Sequence, residues 1–237
     1  MVVQALKIDM KKRLEIIYED NHIIAVNKKA GDLVQGDQTG DITLADDVKA
    51  YIKNKYNKPG DVFLGIVHRI DRPVSGVVLF ARTSKALVRL NKMFQDKTIK
   101  KTYWAIVDQR PDVEEGRLVH YIKKNQDKNR SNLFDKEKHG AKEAILNYQL
   151  IVSFTNYHLL EINLETGRHH QIRAQLARIG CHIKGDLKYG AKRSNENGGI
   201  CLHSRSISFE HPTLKEPITI TATPPDEPLW NEFMQSV

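Results

Sequence analysis

The stretch "FLGIVHRIDRPVSGVVLFARTSKA", residues 63–86, sets two apolar runs around a turn that carries four ionisable side chains, His68, Arg69, Asp71 and Arg72. If "FLGIV" and "VVLFA" are neighbouring strands, the turn holding Asp71 lies at a sheet edge, where its carboxylate is half buried. Burial favours the neutral acid, so a carboxylate kept charged there needs a cation or hydrogen-bond donors. Arg69 and Arg72 flank it in sequence, and a third arginine, Arg173, is a more distant candidate.

Working outward, "RLEIIYED" and "HIIAVNKKAGD" read as two short strands joined by a polar turn at Asp20 to His22. In "TLADDVKAYIKNKY", Thr43 is a cap ahead of Leu44, Val48 and Ile52, whose four-residue spacing makes one apolar helical face. "SGVVLFART" is a strand, "SKALVRLNKMFQDK" a helix and "TYWAIV" a strand again. Two long strands, "AILNYQLIVSF" and "YHLLEINLE", turn at Thr155 and Asn156. "GRHHQIRAQLARIG" is a helix closed by Gly180, with Arg168 and His169 at its N-terminal end. Strands "CLHSRSISF" and "PITITATPP" follow, then a short helix "PLWNEFMQ" with Pro228 in its first turn. Strands and helices mix without regular beta-alpha-beta spacing, which predicts an α+β fold rather than a doubly wound sheet. No linker or repeat interrupts residues 1–237, so one catalytic-sized domain is expected.

Residues 117–142 predict a hairpin insertion with a basic tilt from Lys123, Lys124, Lys128, Arg130, Lys136, Lys138 and Lys142. It is either a solvated insertion or an RNA-touching arm. The net charge of +8 favours polyanionic partners. No apolar run reaches the roughly 20 residues that span a bilayer, and the N-terminal residues lack a leader pattern. Two cysteines, Cys181 and Cys201, are too few for a disulfide scaffold, so a reduced, cytoplasmic setting is expected.

The familiar cradles for nucleotides, G-x-G-x-x-G and G-x-x-x-x-G-K-[ST], do not occur. "HRID" misses the spacing of a kinase catalytic loop, with Gly76 where an asparagine is required. His169, His170, Cys181 and His182 crowd together but lack the paired spacing of a closed zinc site, so no metal and no cofactor are expected. Arg173 sits beside the apolar stripe of Ile172, Leu176 and Ile179, a position where an arginine needs a carboxylate. Its partner is Asp71, or else Glu161 or Glu165 in a plain cross-brace. Gln171 and Gln175, two residues to either side, face elsewhere. In "KTYWAIV", Lys101 supplies a cation, and Tyr103 and Trp104 point to opposite strand faces, so one ring can be core while the other meets a ligand.

Taken together and in this order, these stretches resemble the RluA-type pseudouridine synthases. The match runs through "VNKKAG" at 26–31, "HRIDRPVSG" at 68–76, "KTYWAIV" at 101–107, "TGRHHQIRAQL" at 166–176, "GDLKYG" at 185–190 and "LHSRSISFEHP" at 202–212. The resemblance implies the pseudouridine synthase catalytic fold, a mixed, mainly antiparallel sheet with flanking helices and a central cleft. It also implies isomerisation of uridine to pseudouridine in ribosomal or transfer RNA, without cofactor or metal. Asp71 would be the catalytic aspartate, Arg173 its basic partner, Tyr103 the ring stacked on uracil, and Arg69 the arginine tied to base flipping. His68, Arg72, Arg168 and Lys101 would line the substrate side. Val74, Gln175 and Lys29 depart from the family's usual threonine, histidine and proline. The alternative is a noncatalytic RNA-binding or ribosome-assembly protein on the same fold. A monomer that does not bind membranes is expected, with no S4-like domain ahead of the catalytic strands.

Overall fold

The computed structural model describes residues 14–36 and 40–237. The reading of the first residues as lacking a leader falls largely outside them. The chain divides into two compact units, one of residues 1–99 and 206–223, the other of residues 100–205 and 224–237. The sequence predicts one domain because no linker marks the passage. The chain leaves the first unit between Ile99 and Lys100, where a strand begins, and re-enters it inside a strand, at Ser206.

In the first unit, β1 (Glu15–Glu19) pairs antiparallel with β2 (Ile23–Lys28), β2 with β4 (Ser75–Ala81), and the two-residue β3 (Gly65–Ile66) with the far end of β4. The β1–β2 turn forms because Asp20 Oδ1 accepts from the amides of His22 (2.7 Å) and Ile23 (2.8 Å), an Asx-type turn. Every residue of β4 is buried. Its alternation is therefore hidden, as expected of a strand covered on both faces. Val77, Leu79 and Ala81 join Ile23 and Ala25 in a core with Ala86 and Leu90 of α2 (Ser84–Gln95), and with Ile207, Phe209 and Ile220 of β10 (Leu202–Glu210) and β11 (Pro217–Thr221). The "FLGIV" run is shorter as a strand than its composition predicts, because the chain departs toward the Asp71 turn after Ile66.

The second unit is an antiparallel array in the order β5 (Lys100–Val107), β9 (His158–Leu164), β8 (Lys142–Ser153), β6 (Glu115–Asn125), β7 (Arg130–Phe134). Residues 117–142 do form a hairpin, with its tip between Asn125 and Arg130. β6 is also paired with β8 from Glu115 to Ile122, so the base of the hairpin is part of the main array. Helix α3 spans only Gln171–Arg178, and Gly180 follows its C-cap at φ 79°. The sequence places Arg168 and His169 in its first turn. The structure begins the helix later because His170 adopts the left-handed conformation, φ 53°, at the N-cap. The C-terminal α4 (Pro228–Met234) has its proline in the first turn as expected. The sequence reading of α+β, with mainly antiparallel strands and flanking helices, is what the chain adopts. Among the described residues, no helix is long and apolar enough to cross a membrane.

Helix α1 (Leu44–Lys55) is closed by a reciprocal cap in which Thr43 Oγ1 accepts from the Asp46 amide and Asp46 Oδ2 accepts from the Thr43 amide. Such caps contribute about 1 kcal/mol. Thr43→Ala is expected to lower unfolding free energy by about that amount, measured by urea denaturation; an unchanged midpoint would show that the cap contributes nothing.

Candidate active site

In the first unit the geometry around Asp71 starts with a buried lysine. Lys28, at the end of β2, is 1% exposed. Its ammonium donates to the carbonyls of Lys29 (2.8 Å), Arg72 (3.0 Å) and Val74 (2.7 Å). An ammonium has three donors, and here all three meet backbone carbonyls of the two loops that frame Asp71. The turn itself closes through the Val74 amide, which donates to the Asp71 carbonyl at 3.0 Å. Burial pushes Lys28 down to about 8, while the carboxylates of Asp32 and Asp71 act in the opposite direction. Lys28 thus sets a cation beneath the loop that carries Asp71, close enough for the two charges to interact, a neighbour that sequence spacing does not reveal.

The neighbouring ionisable residues hold the loop in place. His68 Nε2 accepts from the Leu79 amide at 2.9 Å, and its ring stacks on Phe94 at 5.3 Å. The imidazole thereby occupies a place beside β4 that a strand carbonyl would fill had β3 continued. Arg72 donates from Nε to the Gly31 carbonyl (3.0 Å) and pairs with Asp41 (3.2 Å), while the Gly31 amide donates to the Arg72 carbonyl (2.8 Å). Gly31 has φ 97°, a conformation that favours glycine. Arg69 is exposed and Asp71 half-buried.

In the second unit, Arg173 lies on α3 and is 5% exposed. Its Nε and Nη2 donate to the two oxygens of Asp186, at 2.7 and 2.8 Å. This is the two-pronged geometry that makes an arginine–carboxylate pair directional. Asp186 belongs to the "GDLKYG" stretch, so the carboxylate gripping Arg173 is neither of the cross-brace candidates. Glu161 accepts from Trp104 Nε1 at 3.2 Å, and Glu165 pairs with Arg117. The signal that could have pointed to Asp186 was an acidic residue in a glycine-bounded turn shortly after the helix.

Gln171 and Gln175, expected to face elsewhere than Arg173, are themselves buried, as are all of residues 171–176. Polar side chains buried over these six positions must find their hydrogen-bond partners inside the protein. Gln171 Oε1 accepts from Thr166 Oγ1 (2.8 Å) and the Arg168 amide (2.9 Å), and its Nε2 donates to the Ile145 carbonyl (3.0 Å). Gln175 Nε2 faces His120 Nδ1 and the carbonyls of Leu118 and Ala144. Its Oε1 is a buried oxygen without a partner among the described residues.

The turn before the helix is tied to the hairpin. Tyr189 Oη accepts from the Ser131 amide (2.8 Å) and lies 3.0 Å from His170 Nδ1, and Ser131 Oγ donates to the His169 carbonyl (2.6 Å). Burial, and then the Arg173 guanidinium, push the His170 imidazole far below its ordinary range, so it is neutral at physiological pH. Arg168 Nε donates to the Glu143 carbonyl at 2.8 Å. On β5, Tyr103 and Trp104 do point to opposite faces, but both rings are buried, at 8% and 5% exposure, so burial does not single out the ligand-facing ring. Burial pushes the Lys101 ammonium down. A methyl group added to Gly167 would come within 3.3 Å of Lys101 Nζ, which brings the "TGR" turn against that cation.

The fold as a whole matches a human protein described as RNA pseudouridylate synthase domain containing 4, with a TM-score of 0.78 and 20% identity over 100% of this chain and 97% of the other. Residues 22–178 match the family model for RNA pseudouridylate synthases. Among sequence relatives, the chain is 32% identical to ribosomal large subunit pseudouridine synthase D of Zymomonas mobilis, over 90% of this chain and 70% of that one. It is 32% identical to tRNA pseudouridine synthase C of Yersinia pestis, over 93% of this chain and 90% of the relative. The chain belongs to the RNA pseudouridine synthase family.

Removing one partner of a buried pair strands the other charge and costs about 3–5 kcal/mol, whereas an apolar replacement of both costs far less. Asp186→Ala, which removes the two-pronged contact, should therefore destabilise the protein by at most about 3–5 kcal/mol, and Arg173→Met with Asp186→Leu should recover part of it. Denaturant unfolding of the three proteins measures this, and a loss below about 1 kcal/mol in the single variant would contradict a buried pair.

Lys28 has its own signature. A lysine held at about 8 when folded and near 10.4 when unfolded binds more protons in the unfolded state between those values. Stability then rises with pH across that window and is flat below it. The unfolding free energy of the native protein relative to Lys28→Met should increase by about 2 kcal/mol between pH 7 and pH 10. A difference that stays constant over that interval would mean Lys28 is not desolvated.

Proposed function

We propose that the chain isomerises uridine to pseudouridine in structured ribosomal or transfer RNA, with Asp71 as the catalytic carboxylate. The reaction breaks the bond from ribose C1' to N1 of uracil, rotates the base and joins C1' to C5. The C5 proton leaves and N1 ends protonated, so no group is imported and no electron is transferred. A chain whose sequence offers none of the usual nucleotide cradles is consistent with such chemistry.

The observation that carries the assignment is the Lys28 lock. Three hydrogen bonds from one buried cation spend its donors on the two loops that frame Asp71. Fixing a reacting group this way supplies orientation in advance, which is where much of the barrier reduction in such a reaction originates. Tyr103 would hold the plane of the uracil, a contact worth about 1–3 kcal/mol for a base on an aromatic ring. Arg173 would supply the cation of the catalytic set, with Asp186 as the residue that positions its guanidinium. Arg69, exposed on the Asp71 loop, would assist extrusion of the target base, and Lys101 and Arg168 would contact the RNA backbone. Extrusion costs a few kcal/mol that phosphate contacts and stacking must offset. The relatives named for large-subunit and for transfer RNA support both substrate classes.

Asp71→Asn is expected to lower turnover by about three orders of magnitude or more while RNA affinity changes little. The check is pseudouridine mapping of total RNA from cells carrying the native gene, the variant or a deletion. Appreciable pseudouridine formation by the variant would remove Asp71 from the mechanism, and identical maps in the native and deletion strains would favour a noncatalytic RNA-binding role.

A further inference from the structure

The second unit contains a cleft of about 550 Å³ that the proposed reaction does not use, and its lining includes Asp108, Asn156, Tyr157, Lys184, Lys192 and Arg193. The volume lies within the range of sites that hold a small molecule or a nucleotide unit. We propose that this cleft is an auxiliary RNA subsite that takes one unpaired nucleotide of the substrate outside the target uridine, with its phosphate.

The chemistry of the walls favours that occupant. Three cations, Lys184, Lys192 and Arg193, face one carboxylate, Asp108, so the lining carries an excess of positive charge. Lys192 and Arg193 are exposed and enter no ion pair among the described residues. Their charge is therefore available to a phosphate, the group from which a nucleic-acid complex draws much of its affinity. Tyr157, half-buried in the turn between β8 and β9, offers a ring for a base. The neighbouring Asn156 offers an amide that can both donate and accept at a base edge.

The site is built rather than incidental. Lys184 is fixed at its backbone, where its amide donates to the Ile106 carbonyl (2.9 Å) and its carbonyl accepts from the Cys201 amide (2.9 Å). Its Nζ donates to Asn195 Oδ1 at 2.6 Å, which draws the 191–195 segment back over the cleft. Gly185 permits this approach: it has φ +89°, and a side chain there would meet Asn195 at 2.7 Å and the Gly199 carbonyl at 2.8 Å. Asp108 Oδ1 accepts from the His182 amide at 3.0 Å, which orients the carboxylate at the opposite wall. Hydrogen-bonded walls with exposed cations suit an anionic strand that must arrive and leave.

This subsite rests on the reading of the chain as an enzyme acting on RNA, but it is tested by binding alone. The probe is a fluorescein-labelled single-stranded oligouridylate of about 12 nucleotides, long enough for one binding track, with anisotropy followed across a salt series. Lys192→Ala with Arg193→Ala should weaken binding and reduce the slope of log affinity against log salt by about 0.7, the value expected for one single-strand phosphate contact. Tyr157→Leu should weaken binding about 10-fold with the slope unchanged, as loss of stacking does. A control that removes the same charge elsewhere, Lys53→Ala with Lys58→Ala, should leave the slope as in the native protein. The cleft is not an RNA subsite if the control matches the cleft variant, if Tyr157→Leu binds normally, or if free uridine monophosphate competes as well as the oligonucleotide. Because no turnover is involved, a native protein that binds through the cleft yet forms no pseudouridine would overturn the catalytic reading and leave the subsite standing.

Discussion

A buried ammonium with all three protons on backbone carbonyls is the constraint around which the Asp71 loop is arranged. Lys28 is placed by β2, whose pairing with β4 delivers it beneath the connection that returns to β4. Its desolvation is costly, and only complete hydrogen bonding makes that burial tolerable. The converse also holds: the carbonyls of Lys29, Arg72 and Val74 must converge on one point, and that convergence fixes the backbone that follows Asp71 against the loop after β2. His68, bonded to the Leu79 amide, and Arg72, held by Gly31, anchor the remaining ends of the same loop. Two members of the ionisable cluster in the opening stretch, His68 and Arg72, thus hold the loop on which Asp71 stands.

The second unit solves a similar problem with the opposite charge arrangement. Helix α3 is short and enclosed, so Arg173 cannot reach water as a surface arginine would. Asp186 answers with a bidentate pair, and the turn that holds Asp186 also carries Tyr189, whose ring lies against the same guanidinium at 5.1 Å. Tyr189 in turn receives the Ser131 amide from the hairpin. Asp186, Tyr189 and Ser131 thus tie the surroundings of Arg173 to the hairpin near its tip. A hairpin that looked like an appended basic insertion is structurally tied to the helix beside it.

The sequence was most informative where the cause of structure is local. The Asp20 turn, the Thr43 cap, Pro228 in the first turn of α4 and Gly180 beyond the end of α3 all follow from a few adjacent residues, and each is found. The strands of the second unit were legible because their patterns match half-buried ladders. What could not be read depends on distance along the chain. Lys28 meets carbonyls 44 and 46 residues away, and Arg173 meets a carboxylate 13 residues on, so spacing rules have no purchase on either. The late start of α3 depends on a left-handed His170, a conformation uncommon for residues other than glycine and not signalled by the neighbouring sequence. The candidate residues themselves were legible through the joint order of motifs rather than through any one of them.

The two departures at the centre of the motifs are consistent with this division of labour. Val74 contributes its amide to the Asp71 carbonyl and its carbonyl to Lys28, both from the backbone, so those contacts do not depend on a threonine hydroxyl at that position. Its apolar side chain is buried at 2% exposure, where a hydroxyl would need a partner of its own. Gln175 is different, because its side chain is used. One amide nitrogen faces three acceptors on β6 and β8, and the amide oxygen on the same group is left unpaired in the interior. An unmet buried acceptor is a recognised cost. Gln175 therefore ties helix to strands with one buried oxygen left unpaired among the described residues. The departure at 74 leaves the Asp71 turn intact, because that turn is written in the backbone.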